Sequence, residues 1–425
     1  MNLPESVSQL ADRLDRRLAR IDRQHTERYP GDRGTRQPVH TVYVPADRFD
    51  AGTVADWGAQ ASDALRTYAG SSTEVATTTG LDRAVVEAVW PRVLAKLENE
   101  PIEDLRVDLE DGYGDRPDAE EDAAATGAAR ALVECLRDDG PKPAFYGIRF
   151  KSFEAPTRRR GLRSLALFVA ELAAVRPPGD GLVVTLPKVT AVEQVEAMVL
   201  TCEVLEREHR LTAGTLRFEI QVETPQSILG ADGTVLVARM IQAADGRCTG
   251  LHYGTYDYSA SCGIAAAYQS MEHPAADHAK AVMQVAAAGT GVFLSDGSTN
   301  VLPVGDRSHV HAAWALHARL VRRSLERGYY QGWDLHPAQL PTRFLATYAF
   351  YRQGLPEAAA RLRAYADASD RSAILDEPAT AAALATFVLR GVECGATEEA
   401  EVTALSGIDH ARLTALARRS VAPER

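Results

Sequence analysis

Acidic and basic side chains stand at the carboxyl ends of short apolar runs along this chain. Asp108, Glu110 and Asp111 end "DLRVDLED", and Arg149 and Lys151 follow "AFYGI". Lys188 ends "GLVVTLPK", Glu223 ends "LRFEIQVE" and Asp257 follows "CTGLHYG". Asp296 lies in "GVFLSDGS" and His336 in "GWDLHP". The opposite ends of these runs, such as "PAFY", "GLVV" and "GVF", carry no charge. Solvation alone explains a charge at any one strand end. A set gathered at the same end of successive runs points to a shared site.

Two carboxylates with few nitrogen or sulfur donors nearby suit a hard divalent cation. Mg2+ takes one or two protein carboxylates and completes its shell with water and substrate oxygens. Glu223 and Asp257 are that pair, one on each of two successive runs; the plainer reading of Asp257 is a turn residue in "GTYDYSASCG". Arg149 offers a planar fork to an oxygen that gains negative charge, or pairs with Asp108 or Glu110 as a structural ion pair. Lys188 follows Pro187 and is read as pairing with a neighbouring acid such as Glu110 rather than as a Schiff-base lysine. His336, before Pro337, serves as a base, a hydrogen-bond donor or a structural histidine.

The elements that must position these residues alternate. Strand-like runs at 41–46, 104–111, 144–150, 181–188, 216–223, within 248–258, at 291–298 and at 332–337 are separated by helical patterns. Two helices, near 53–69 and 81–99, are expected between the first two runs. Eight strand–helix steps predict parallel pairing through right-handed crossovers and a (β/α)8 barrel. An open dinucleotide-binding sheet would carry a Gly-rich turn after its first strand; here "VPADRFD" has none. The barrel spans 39–350, after a lead-in at 1–38 with one amphipathic helix. A purely helical extension fills 351–425.

The 425 residues carry a net charge of −11 and no broad basic stripe, which argues against a nucleic-acid binder. The five cysteines are scattered without CxxC spacing, as free thiols in a reducing cytoplasm would be. No run has the length of a membrane span and the amino terminus has no signal-peptide core. The expectation is a soluble cytoplasmic protein.

Several of these stretches resemble, in order, motifs of the citrate lyase β-subunit-like (HpcH/HpaI aldolase) family. They are "YVPADRFD", "RVDLEDGYGDRPDAEEDAA", "IRF", "TLPKVTAVEQV", "QVETPQSIL", "GTYDYSASCGI" and "GWDLHPAQL". "TYDY" and "SDGSTNVLPV" lean toward the related malate synthases. The resemblance implies a (β/α)8 barrel binding Mg2+, with Mn2+ as a substitute, through Glu223 and Asp257. It implies that Arg149 binds the oxygen of a 2-oxo acid or aldehyde, beside Glu110 and Lys188. It also implies a homotrimer: "ILDEPAT" matches a late family motif and places Asp376 as a catalytic acid reaching a neighbour's site. Two departures stand out. The family's Arg before the first strand is missing from "QPVHTVYVP", and Tyr256 replaces a Glu before Asp257.

The expected activity is therefore a Mg2+-dependent carbon–carbon lyase or aldolase acting on a small 2-oxo or 2-hydroxy acid through an enolate. Asp376, or His336, moves the proton on carbon, and a coenzyme A thioester is a candidate substrate. The rivals are a malate-synthase-type condensation of glyoxylate with an acyl-CoA, and a non-catalytic barrel acting as a sensor or complex subunit.

Overall fold

The computed structural model describes residues 5–175, 179, 181–367 and 377–418. Eight strands form its centre: β1 (His40–Pro45), β2 (Asp104–Asp108), β3 (Phe145–Arg149), β4 (Leu182–Leu186), β5 (Arg217–Val222), β6 (Cys248–Tyr253), β7 (Phe293–Ser295) and β8 (Gly332–Asp334). All pairings between them are parallel, in the order β7-β6-β5-β4-β3-β2-β1-β8. A bridge between Ser295 and Gln331 brings β7 to the approach of β8. Two main-chain hydrogen bonds support it, from Asp296 to Gln331 at 2.9 Å and from Trp333 to Gly297 at 3.3 Å. The ring is thus nearly closed, and the expected (β/α)8 barrel is the fold.

Strand side chains alternate between two environments. Val42, Leu105, Val107, Ile148, Val184, Ile220 and Leu251 are fully buried in the main apolar core. The intervening residues face one another across the barrel. Tyr43 on β1 donates to Glu219 on β5 at 3.1 Å, and Arg106 on β2 donates to Glu219 at 2.8 Å and to Thr185 on β4 at 3.2 Å. These bonds join strands that are not sheet neighbours, so they cross the interior. A one-residue slip of β2 or β5 would turn these charges into the apolar shell.

The middle of the barrel is therefore a polar layer, where a (β/α)8 barrel usually stacks branched apolar residues. Arg106 also pairs with Asp104, and Glu219 also accepts from Thr185 at 2.5 Å and lies 3.1 Å from His252. Burial works against the Glu219 carboxylate, but Arg106 and His252 hold its carboxyl well below the usual range.

Several elements end earlier than their sequence patterns suggest. β2 stops at Asp108, whose carboxylate accepts the N–H groups of Glu110 (3.0 Å) and Gly112 (2.9 Å) and so turns the chain. β8 stops at Asp334, and the histidine beyond it caps the short 3-10 turn Pro337–Gln339. Between β1 and β2 there are three helices, Thr53–Tyr68, Ser72–Thr79 and Arg83–Asn99, where two were expected. Gly70, at φ 64°, ends the first, and the Ser71 hydroxyl caps the second by accepting the Glu74 N–H.

The helix Leu340–Ala366 runs without a break across position 350. Its first half packs Phe344 and Tyr348 against Val86, Val89 and Trp314 on the barrel's flank. Its second half packs Leu355 and Leu362 against Val388, Val402 and Leu413 of the terminal helices Pro378–Glu393, Glu399–Ser406 and His410–Arg418. At the other end, the lead-in helix Glu5–Arg28 exposes Val7, Leu10, Leu14, Leu18 and Ile21 along its length. No described helix is long and apolar enough to cross a membrane.

Candidate active site

Glu223 follows directly on β5, in the same inward alternation as Glu219 and Gln221. The helix Pro225–Ile228 then begins with its proline at the first position, where the missing N–H costs nothing. The Glu223 side chain is buried, and one oxygen accepts the main-chain N–H of Lys188 at 2.8 Å. β6 passes close beside it. A Cβ on Gly254 would fall 2.5 Å from the Glu223 Cβ, so only glycine lets the two strand ends approach. Burial raises the Glu223 carboxyl to about 8, with Asp257 and Glu110 adding to the rise against Lys188 and Arg149. Asp257 itself lies in the first turn of the helix Thr255–Ser261 and is exposed.

Arg149, the last residue of β3, makes a bidentate pair with Asp108, both bonds 2.7 Å long. Its guanidinium carbon sits 4.7 Å from the centre of the Tyr43 ring and 5.5 Å from that of Trp333. The group is thus fixed by a carboxylate fork and two aromatic rings, which orients it without further cost when a ligand arrives. Its Nη1 is the less engaged edge, 3.6 Å from Glu110.

Lys188 spans two acids. Its ammonium bonds Glu110 and lies 2.8 Å from Asp111. Burial opposes its charge, yet Glu223, Glu110 and Asp111 together hold it protonated above its ordinary range. This is the pairing role expected of Lys188, and a permanently charged amine is a poor Schiff-base nucleophile. Glu110 is pushed up by burial in spite of Arg149 and Lys188. Glu110, Asp111, Lys151 and Lys188 line a cavity of about 270 Å³ beside this cluster.

Three groups here were not singled out in the sequence. Both amide atoms of the buried Gln221 and the indole N–H of Trp333 have no hydrogen-bond partner among the described residues. Gln221 stands between Glu219 and Glu223 on the inward face of β5. Tyr43 is the ring under Arg149. The signal for Gln221 was present in "FEIQVE", where every second residue is polar in an otherwise apolar strand.

The strand ends thus bring Glu223, Lys188, Glu110 and Arg149 into one connected cluster, with Asp257 close enough for its charge to act on Glu223. His336 is not joined to that cluster by any contact among the described residues. Its Nδ1 accepts the Ala338 N–H at 3.1 Å, and burial lowers its pKa. Asp376 lies outside the described residues. Asp296 turns outward to Lys280 at 2.9 Å and Ser324 at 2.6 Å, and Lys151 braces the loop after β2 through the carbonyls of Leu109 and Gly114. Among the described residues there is no group of three or more His, Cys, Asp or Glu side chains suited to a metal. A Glu223–Asp257 site would rest on two carboxylates, the number Mg2+ commonly takes.

The fold is similar to that of a citrate lyase. A citrate lyase from Burkholderia xenovorans LB400 superposes with a TM-score of 0.58 at 18% identity, over 87% of this chain and 96% of that one. A malate synthase from Haloferax volcanii in complex with magnesium and glyoxylate aligns at 12% identity over 84% of this chain and 99% of that one, with a TM-score of 0.47. An HpcH/HpaI aldolase/citrate lyase family protein from Burkholderia cenocepacia J2315 aligns at 15% identity over 76% and 96%, with a TM-score of 0.41. No curated protein sequence matches the chain. Over residues 18–421 it matches DUF6986, described as a domain of unknown function, and the chain belongs to that family.

Proposed function

We propose that this protein is a Mg2+-dependent carbon–carbon lyase of the aldolase type, acting on a small 2-oxo or 2-hydroxy acid. The observation that carries the reading is the Glu223 carboxyl, buried at a barrel strand end in one cluster with Lys188, Glu110 and Arg149, with Asp257 near enough for its charge to bear on it. Such a pair of acids fits a divalent cation, Mg2+ or Mn2+, with oxygen ligands alone. Bound by Glu223 and Asp257, the ion would supply a Lewis acid for the oxygens of the substrate.

The chain's own groups divide the remaining work. Arg149 directs Nη1 at the oxygen that gains charge as the carbon–carbon bond breaks or forms, and Asp108, Tyr43 and Trp333 hold it in that attitude. Gln221 and the Trp333 N–H, without a hydrogen-bond partner among the described residues, orient the substrate's carboxylate or carbonyl. Lys188 and Glu110 form the wall beside them. The proton on carbon is assigned to Asp376 by the motif resemblance, with His336 as the second candidate through Nε2, since Nδ1 is occupied as a cap. Asp376 would serve its own site or, in a trimer, a neighbouring copy's; activity intact in Asp376→Ala removes it from the mechanism.

Calorimetric titration with Mg2+ in the presence of oxalate, on the parent and on Glu223→Ala, tests the core of the proposal. Binding lost together with activity supports it; activity intact in the variant sinks it. Free thiol released from an acyl-CoA in the presence of glyoxylate would instead identify the condensation chemistry of the malate synthases.

A further inference from the structure

The barrel has a second mouth. At the amino-terminal ends of the strands, opposite the candidate active site, lies a cavity of about 460 Å³. That is within the range of small-molecule sites, roughly 300–1,000 Å³. Its floor is the polar layer, with Arg106, Glu219 and His252 all buried. Apolar walls come from Pro38, Phe145, Val183 and Phe293. Gly250, on an inward position of β6, leaves the space open; a Cβ there would meet the His252 ring at 3.1 Å.

The charges around this cavity are unequally matched. Arg106 is engaged by Asp104, Glu219 and Thr185, and the charge of Arg36 is matched by Glu100 and Glu103, although its Nε has no hydrogen-bond partner among the described residues. Arg217, half-buried on the first residue of β5, has no carboxylate and no hydrogen-bond acceptor among the described residues. Among the described residues, Arg33, on the lead-in, reaches only the main-chain carbonyls of Gly246 (3.3 Å) and Cys248 (3.0 Å). Burial lowers the pKa of Arg33, and the positive charge of Arg217 also bears on it. Two guanidinium groups facing the same space without an acid leave a demand for an anion, and a guanidinium fork matches phosphate or carboxylate.

We propose that this amino-terminal cavity is a binding site for a small organic anion with an apolar body, its charged group held by Arg33 and Arg217 and its body lying between Phe145 and Phe293. The site is separate from the one around Glu223, with the Arg106–Glu219 layer between them.

Isothermal titration calorimetry on the full chain tests this, with phenyl phosphate as the probe and phenol and inorganic phosphate as controls. Phenyl phosphate binds at one saturable site, more tightly than inorganic phosphate, and phenol gives no saturable heat. Arg217→Ala and Arg217→Gln each weaken phenyl phosphate by about tenfold, with an unchanged unfolding midpoint because Arg217 has no partner to lose. Glu223→Ala leaves the phenyl phosphate isotherm intact. Absence of saturable binding, an isotherm indifferent to both Arg217 variants, or loss of binding in Glu223→Ala would each overturn the proposal.

Discussion

The Glu223 carboxylate accepts the main-chain N–H of Lys188 at 2.8 Å, and Lys188 is held at φ 51°, a left-handed conformation that a side chain disfavours. The same residue that points its amide at Glu223 points its ammonium at Glu110 and Asp111. Local strain at β4 is thus tied directly to the acid on which the proposed chemistry depends. Lys188→Gly is therefore expected to be more stable than Lys188→Ala by about 1 kcal/mol, although both lose the ion pairs. Urea unfolding of the two variants decides it; equal midpoints would mean the turn relaxes freely.

A buried acid held near neutrality costs stability when no cation balances it. Glu223→Gln, without added metal, is expected to resist urea better than the parent at neutral pH, by about 1–2 kcal/mol. Its Mg2+ affinity should fall by about tenfold or more. A variant that binds Mg2+ as the parent does would remove Glu223 from the metal site.

Arg149→Lys keeps the charge but loses the two-bond fork to Asp108 and the stacking on Tyr43 and Trp333. A drop in kcat of about 100-fold is expected, with a smaller change in KM, because the lost group acts on developing charge. A rate near that of the parent would show that any cation at this position suffices.

Gln221 buries an amide with no partner among the described residues. Gln221→Leu should hold or gain about 1 kcal/mol of stability, the desolvation of an unsatisfied amide being removed. The KM for the 2-oxo acid should rise by about tenfold. A destabilised variant would mean that the amide is paired in solution, for instance by water.

Glu103 contributes to the acid limb of stability, beside Glu219 and Asp334. Burial pushes its carboxyl up, but Lys96 at 2.6 Å and Arg36 at 2.7 Å outweigh burial and bring it down to about 2. In the unfolded chain it protonates near 4.5. Its stabilisation is therefore complete above that value and is lost as the pH falls toward 2. Glu103→Gln should cost about 3 kcal/mol at neutral pH and flatten the loss of stability in acid, as followed by circular dichroism.

The barrel was legible because its strands are short apolar runs at regular intervals, and a parallel sheet of eight such runs has few alternatives. The rim was legible for Glu223, Arg149 and Glu110, because each ends a run whose alternation points it inward; Lys188 shares the outward parity of Val184 and Leu186, and its left-handed backbone at φ 51° is what brings its ammonium to Glu110. Asp296 was misplaced for a physical reason. β7 has only three residues, and Lys280, which turns the Asp296 carboxylate outward, comes from a helix on the far side of the strand. His336 met the same limit: whether its ring faces a ligand or the Ala338 amide depends on a turn that begins one residue later. The polar layer was not read from the sequence, although every second residue is polar in Asp104, Arg106 and Asp108 on β2 and in Glu219 and Gln221 on β5. What no spacing reveals is that Arg106 reaches across the interior to Glu219 while Arg149 bonds the neighbouring Asp108.

The bridge between Ser295 and Gln331, with its two supporting main-chain bonds, is the thinnest joint in the ring. Amide protons there, on Asp296 and Trp333, should exchange with deuterated solvent sooner than those of β3 to β5, since the opening that frees them breaks the fewest bonds. Trp333 sits on that joint and touches Arg149, whereas Glu223 sits on the well-paired arc opposite. The fluorescence of Trp333 would therefore register breathing on one side of the site while the acid that anchors the other side stays still.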